Sequence, residues 1–120
     1  MNGVLNNQSL IYQQIAARIE DGILRGEYPE EEQVPSTNEI SRVFHINPAT
    51  AAKGINRLVE EGLLYKKRGI GMFVAQGAQA LLLQNRRDAF CAQDAEEFVH
   101  KAKKLGITKE ALQAMIEARY

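Results

Sequence analysis

The segment HINPATAAKGINRLVEEG, residues 45–62, places hydroxyl, ammonium and guanidinium groups at helical spacing. Asn47 is a favoured N-cap, and Pro48 stands at the first helical position, where its missing N–H is not needed. The apolar positions predict a buried face of Ala51, Ile55, Leu58 and Val59. The predicted outward face consists of Ala49, Thr50, Lys53 and Arg57. A solvated helix face carries similar groups, but short and cationic side chains can also donate hydrogen bonds to base edges and phosphates.

A second cationic cluster, Lys66, Lys67 and Arg68, follows this helix. The formal net charge of the chain is +0, but the charge is unevenly distributed. Residues 1–40 contain two basic and seven acidic residues, a net −5, and residues 41–75 contain six basic and two acidic residues, a net +4. Such asymmetry creates a positive surface on a neutral chain. The cluster can serve solubility alone, but its place after the basic helix favours contact with phosphate or the minor groove.

The other reactive side chains form no catalytic or metal-binding pattern. His45, Cys91 and His100 show no metal-ligand spacing such as i, i+4. No nucleophile and base stand out together, and the glycines of residues 69–71 suit a tight turn better than a phosphate-binding loop. The sequence therefore predicts a protein that is not an enzyme and that has no cofactor and no metal.

Three helices are predicted to position the basic groups. Isoleucines four residues apart predict a first helix from Leu10 to about Arg25. Ser36-Thr37-Asn38-Glu39 fits a capping box, in which a hydroxyl and a carboxylate satisfy each other's free amides. The short second helix is expected to run to Phe44 and to bury Ile40, Val43 and Phe44. The third helix is the segment that begins at Pro48, and Gly62 is expected to end it.

A hairpin is predicted directly after the third helix. Its strands are expected at Leu63–Lys67 and Met72–Ala75, joined by the turn that contains Gly69 and Gly71. Three helices and a hairpin in this order make a winged helix-turn-helix. The acidic stretch Glu30-Glu31-Glu32 is expected to be a solvated loop. The predicted fold class is mainly α with a small β-hairpin, in which residues 1–76 form the winged helix-turn-helix domain.

Residues 77–120 are predicted to form a helical dimerisation domain. Residues 78–104 contain no proline or glycine, and Thr108 is expected to cap a last helix. Leu81, Leu82 and Leu83 point about 100° apart on a helix, so they cannot all face one small domain. A second copy of the chain is the expected partner. The residues expected at this contact are Leu81, Leu82, Leu83, Phe90, Phe98, Leu112, Met115 and Ile116.

Length and composition agree with a small intracellular protein. With 120 residues, the chain suits one small domain or a small domain with an appendage. No apolar run approaches the roughly 20 residues of a membrane span, and the first residues lack the basic and apolar regions of a signal peptide. Cys91 is the only cysteine, so no intrachain disulfide can form and a reducing cytoplasm is the expected location.

Residues 34–75, VPSTNEISRVFHINPATAAKGINRLVEEGLLYKKRGIGMFVA, carry several short motifs at defined spacing. The motifs are Pro35-Ser36, Asn47-Pro48-Ala49-Thr50, Glu61-Gly62-Leu63 and Gly69-Ile70-Gly71-Met72-Phe73-Val74. Together they resemble the DNA-binding domain of GntR-type bacterial transcription regulators, and the resemblance spans roughly residues 10–75. The short remaining segment is similar to the tail of the YtrA-type branch, in which the tail serves dimerisation.

The resemblance implies a set of residues that contact DNA. Asn38 stands where the family commonly has an arginine that touches phosphate. Ala49 and Ala52 have short side chains, whose methyl groups can contact the methyl group of thymine. The residues expected to contact DNA are Ser36, Thr37, Asn38, Asn47, Pro48, Ala49, Thr50, Ala52, Lys53, Arg57, Lys67, Arg68 and Gly69.

The predicted function is sequence-specific regulation of transcription. We expect a cytoplasmic homodimer that binds a double-stranded operator, an inverted repeat, and that represses transcription until a small-molecule effector releases it. The expected place for an effector is between the tail and the winged domain or at the dimer contact. A winged helix that binds another protein and no DNA is the alternative, because this fold also serves in protein interactions.

Overall fold

The computed structural model describes the backbone of residues 3–120 and the side chains from Leu10 onward. In chain order its elements are α1 (Gly3–Arg25), α2 (Thr37–Phe44), α3 (Pro48–Glu60), β1 (Leu64–Lys67), β2 (Gly71–Val74), α4 (Ala78–Ala89), a π-helical segment (Phe90–Asp94), α5 (Ala95–Lys104) and α6 (Lys109–Arg119). The mainly helical fold with a small hairpin is confirmed. The chain divides into a first unit that ends at Leu83 and a second unit, Gln84–Tyr120. The domain boundary expected after residue 76 stays a prediction.

The core of the first unit lies between α1, α3 and the hairpin. The predicted stripe of α1 is buried at Ile15, Ile19 and Ile23. From α3 and the hairpin, the fully buried side chains include Leu58, Leu63, Leu64 and Val74. Burial of large aliphatic side chains contributes about 1.5–3 kcal/mol each, so this cluster accounts for much of the stability that fixes α3 against α1.

Local side-chain bonds fix where α2 and α3 begin. The Ser36 hydroxyl accepts the Glu39 amide at 3.0 Å, and the Glu39 carboxylate accepts the Ser36 amide at 2.9 Å, which is the predicted capping box. At the start of α3, the Asn47 side chain accepts the Ala49 amide at 2.7 Å, and Pro48 occupies the first turn. His45 ends α2 with a left-handed backbone, φ 54°. These residues make the turn between the two helices short.

The prediction that α2 buries Ile40, Val43 and Phe44 is wrong for two of the three residues. Ile40 is buried, whereas Val43 is 61% exposed and Phe44 is 40% exposed. A helix of eight residues has little more than two turns, so its apolar stripe gives only one side chain to the core. The Phe44 ring instead lies beneath the Arg18 guanidinium, at 5.1 Å.

The hairpin pairs Leu64 with Val74 and Lys67 with Gly71 in antiparallel register. The segment before α2 adds a third, short strand-like contact, because the Val34 amide donates to the Met72 carbonyl at 3.0 Å. The Glu31 amide likewise donates to the Val74 carbonyl at 2.7 Å. The loop that precedes α2 therefore supports the second strand of the hairpin.

Glu30, Glu31 and Glu32 form an exposed loop, as predicted, and two of them also make contacts that the sequence did not predict. The Glu30 carboxylate accepts the Gly77 amide at 2.8 Å and thereby satisfies a free N–H at the start of α4. The Glu31 carboxylate accepts the Tyr65 hydroxyl at 2.6 Å. This bond to a carboxylate is the main reason that the pKa of Tyr65 is raised above 10.0. Two of the three acidic side chains thus hold the hairpin and α4 in place.

The three consecutive leucines of α4 do not share one environment. Leu82 is 2% exposed and belongs to the core of the first unit, whereas Leu81 and Leu83 are each 41% exposed. The expectation that Leu82 lies at a dimer contact is wrong, because its side chain fills the first unit's own core. The helical geometry that separates neighbouring side chains by about 100° leaves the other two leucines outside that core.

The second unit is helical throughout its regular elements. Thr108 caps α6 as predicted, since its hydroxyl accepts the Ala111 amide at 3.1 Å. Several large apolar side chains of this unit are exposed: Phe90, Phe98, Val99, Leu105 and Ile116. Among residues 3–120, the helices are too short or too polar to cross a membrane.

Candidate nucleic-acid interface

The outward face of α3 is a shallow concavity between α3 and α1. Its volume is about 510 Å³. It is lined by Tyr12, Ala49, Ala52, Lys53, Asn56, Arg57 and Glu60. The two alanines contribute only methyl groups to this surface, and the other lining side chains are longer and polar or charged. We call the six of these residues that lie on α3 the outer face of α3.

The prediction that Thr50 projects from this face is wrong. Thr50 is 6% exposed and lies on the buried side of α3, one turn before Gly54 and two turns before Leu58. At Gly54 the two helices approach so closely that an added Cβ would lie 3.0 Å from the Tyr12 carbonyl oxygen. The buried side of α3 thus includes Thr50 as well as Gly54 and Leu58.

The two cations of α3 have different partners. Lys53 is exposed, and its Nζ lies 4.5 Å from the centroid of the Tyr12 ring. Arg57 is half-buried, and its Nε lies 3.2 Å from the Glu61 carboxylate. A carboxylate neutralises most of the field of a guanidinium, whereas an aromatic ring leaves the charge of an ammonium in place. Lys53 therefore contributes more positive potential to the outer face than Arg57 does.

Several residues that were expected to contact DNA lie at the starts of α2 and α3. Asn38 is exposed in the first turn of α2, and Pro48 and Ala49 are exposed in the first turn of α3. Ser36 and Thr37 are half-buried, and Ser36 acts as the cap of α2. The hydrogen bond that the Ser36 backbone amide donates to the Glu39 carboxylate lowers the pKa of that carboxyl below 4.5. At the start of α3 the N–H groups are already used, because Pro48 has none and those of Ala49 and Thr50 donate to Asn47. The helix dipole still favours an anion at both helix starts.

The tip of the hairpin, residues 67–71, presents the second group of cations. Lys66, Lys67, Arg68 and Gly69 are all exposed. The Ile70 amide donates to the Lys67 carbonyl at 2.9 Å, which closes the turn, and Gly69 has the left-handed φ of 76° that the turn requires. Lys67 Nζ lies 4.2 Å from the centroid of the Phe73 ring, so this cation is held along the hairpin. The basic tip and the outer face of α3 belong to the same unit.

The sequence did not predict Asn56, Tyr12 or Gln33 as part of this interface. Asn56 continues the spacing from Ala49, Ala52 and Lys53, so the pattern could have identified it. Tyr12 lies on α1, and only the packing of α1 on α3 places its ring at the outer face. Gln33 supports the hairpin tip from the loop before α2, because its Nε2 donates to the Ile70 carbonyl at 3.0 Å.

The side chains from Leu10 onward include a candidate recognition surface and no metal centre. No group of three or more His, Cys, Asp or Glu side chains in this part of the chain could hold a metal ion. A helix with a polar and basic outward face, reached through a tight turn and followed by a basic wing, defines the class of winged helix-turn-helix DNA-binding transcription regulators.

The chain belongs to the gntR family of bacterial regulatory proteins, and residues 11–74 match the sequence pattern of this family. It is 29% identical over 112 residues to the HTH-type transcriptional regulator YhcF of Bacillus subtilis, which covers 93% of this chain and 91% of YhcF. It is 24% identical over 107 residues to the HTH-type transcriptional repressor YtrA of the same organism, covering 89% of this chain and 82% of YtrA. These relatives support the short YtrA-type branch of the family.

Solved structures agree with this assignment. A GntR-family transcriptional regulator from Bacteroides thetaiotaomicron superimposes with a TM-score of 0.76 at 36% identity, over 90% of this chain and 94% of that chain. The DNA-binding domain of AraR in complex with operator ORR3 superimposes with a TM-score of 0.52 at 36% identity, over 53% of this chain and 77% of that chain. The chain is a DNA-binding transcriptional regulator and not an enzyme.

Proposed function

We propose that this chain is a transcriptional repressor that reads its operator with the outer face of α3 and grips the DNA backbone with the hairpin tip. The single observation that carries the proposal is the juxtaposition, within one unit, of the exposed Lys53 on α3 and the exposed Lys66, Lys67 and Arg68 on the wing. Base contacts carry sequence information, whereas phosphate contacts fix position and orientation. In this proposal Lys53 and Asn56 read bases, and Arg68 binds phosphate.

Selection of duplexes from a random library by the full chain tests the assignment of these roles. We expect one enriched sequence. Lys53→Ala should lower the preference for that duplex over a scrambled one by about 1–3 kcal/mol, because a base contact is lost. Arg68→Ala should weaken binding to both duplexes alike. Lys109→Ala, which removes one lysine from α6, is the matched control, and equal losses in all three variants would contradict the proposal.

The proposal includes a homodimer. Its support is the set of exposed apolar side chains on the second unit, since burial of such a surface against a second copy is favourable. A two-fold dimer reads an inverted repeat whose half-sites are about 10 base pairs apart, or a multiple of that distance. The selected sequence should therefore show this symmetry.

Sedimentation equilibrium of the full chain tests the dimer directly. We expect a dimer at micromolar concentration, and we expect the double variant Phe90→Ser/Phe98→Ser to dissociate it. Gln93→Ser, on the same stretch of chain, is the control that changes a side chain without removing apolar surface. A wild-type monomer that still binds the selected inverted repeat tightly would contradict this part of the proposal.

A small-molecule effector completes the proposed repressor. A ligand that binds better to the free dimer than to the operator-bound dimer must, by linkage, weaken operator binding by the same factor. Screening metabolites by thermal shift on the full chain, followed by operator binding in their presence, tests this. We expect an effector to raise the melting temperature of the free protein and to lower its operator affinity. If no metabolite in the screen changes the melting temperature or the operator affinity, the proposal of an effector is contradicted.

A further inference from the structure

Tyr12 and Lys53 form a contact that joins α1 to the outer face of α3. The Tyr12 side chain is half-buried, and Lys53 Nζ lies 4.5 Å from the centroid of its ring. The backbone beneath this ring is closely packed, because a Cβ on Gly54 would lie 3.2 Å from Ile15 Cγ2 and 3.0 Å from the Tyr12 carbonyl oxygen. The backbone that carries the ring is therefore held in place by the packing of two helices.

A lysine on a helix surface has four rotatable bonds, and ordering it on DNA costs conformational entropy. A ring face below the ammonium restricts these rotations in the free protein, because the negative quadrupole of the ring attracts the cation. The ring has no formal charge, so the ammonium keeps its own charge for another partner. Its three N–H donors cannot all point to the ring, and those that point away are available to acceptors.

We propose that Tyr12 is a positioning residue of the DNA interface, which holds the Lys53 ammonium over its ring at the outer face of α3. The inference rests on the proposed function for its effect on DNA, but the contact itself exists in the free protein. Arg57, the other cation of α3, is held by Glu61 and serves as the internal comparison. Lys53 is therefore ordered by Tyr12 and keeps N–H donors for an acceptor on DNA, whereas Arg57 is bonded to a carboxylate.

The first experiment needs no DNA. In NMR spectra of the full chain, the ring current of Tyr12 should shift the Lys53 ε-protons upfield. The shift should persist in Tyr12→Phe, which keeps the ring, and should disappear in Tyr12→Leu and in Tyr12→Met, which keep an apolar side chain without a ring. Methyl shifts of the core residue Leu58 report whether each variant is folded. Lys53 ε-proton shifts that are the same in wild type and in both ringless variants would overturn the proposal.

The second experiment measures affinity for the duplex selected from the random library. Tyr12→Leu should weaken binding about two- to tenfold, the factor expected when one mobile side chain must be ordered on DNA, and Tyr12→Phe should restore it. In a Lys53→Ala background, Tyr12→Leu should have no further effect, because the ammonium it positions is absent. A loss in Tyr12→Phe equal to that in Tyr12→Leu would show that the hydroxyl acts instead, and would overturn the proposal.

The two experiments separate this inference from the proposed function. If the wild-type chain selects no duplex, the proposed function fails, while the Lys53 ε-proton shifts still decide whether the ring holds the ammonium. If the chain selects a duplex but Tyr12→Leu costs the same with and without Lys53, the proposed function stands and the positioning role of Tyr12 is overturned.

Discussion

Gln33 Nε2 donates a hydrogen bond to the Ile70 carbonyl oxygen at 3.0 Å, and this bond joins the loop before α2 to the tip of the wing. The absence of a side chain at Gly71 makes room for it, since an added Cβ there would overlap Gln33 Nε2. Gly71 also has a φ of 149°, which other residues rarely adopt. The orientation of the wing therefore depends on a glutamine that lies outside the hairpin.

Gln33→Ala should weaken DNA binding while it destabilises the fold only slightly. Loss of an exposed side chain to backbone bond lowers the free energy of unfolding by about 1 kcal/mol or less. The freed wing tip must then be ordered when DNA binds, which we expect to weaken affinity about two- to tenfold. Denaturation and duplex binding measure the two effects, with Gln113→Ala on α6 as the control. Unchanged affinity in Gln33→Ala would show that the wing needs no such support.

Glu39→Gln should change how stability depends on pH. The pKa of Glu39 is lowered below 4.5 in the folded chain, chiefly because its carboxylate accepts a hydrogen bond from the Ser36 backbone amide. The Glu39 amide in turn donates to the Ser36 hydroxyl, which completes the cap. A lowered folded pKa means stabilisation that is fully present above about pH 4.5 and is lost as the pH falls through the folded pKa. The difference in free energy of unfolding between wild type and Glu39→Gln should therefore shrink below that pH. Denaturation at several pH values measures it, and parallel profiles would refute this role of the cap.

Leu82→Ala should destabilise the first unit by about 2–5 kcal/mol, the range for a buried leucine. Leu81→Ala and Leu83→Ala, at positions that are each 41% exposed, should cost about 1 kcal/mol or less. The three variants remove the same atoms from neighbouring positions, so each serves as a control for the others. Chemical denaturation followed by circular dichroism measures the difference. Equal costs at all three positions would contradict the placement of Leu82 in the core.

Features that depend on neighbouring residues could be predicted from the sequence. The Ser36 to Glu39 capping box and the Asn47-Pro48 start of α3 are determined by side chains that reach their own backbone within a few positions. The hairpin follows from the glycines of its turn. These local signals, together with the basic residues between 41 and 75, were sufficient to predict a winged helix-turn-helix with a basic face.

Features that depend on distant parts of the chain could not be predicted in this way. Thr50 is buried on the same side of α3 as Gly54, where α1 approaches closely, and no periodicity within α3 shows how wide the buried arc is. Glu30 caps the start of α4 from 47 residues away. Leu82 could be assigned to the core only when the space beside α1 and the hairpin was known. Lys53 and the wing could therefore be proposed for the site from the sequence, whereas Tyr12 and Gln33 could be proposed only from the structure.

The salt dependence of duplex binding should report how many cations contact phosphate. If Arg57, Lys66, Lys67 and Arg68 of two protomers take part, the slope of log affinity against log salt has a magnitude of roughly 5–7, because each phosphate contact contributes about 0.9. Arg57 is held by Glu61, which favours the lower part of this range.

Arg68→Ala should reduce the slope by about 2, since one contact is lost from each protomer, whereas Arg57→Ala should reduce it by less. Lys109→Ala should leave the slope unchanged. Fluorescence anisotropy of a labelled duplex between low and physiological salt gives the slope, and a flat response in the wild type would contradict the phosphate contacts of the wing.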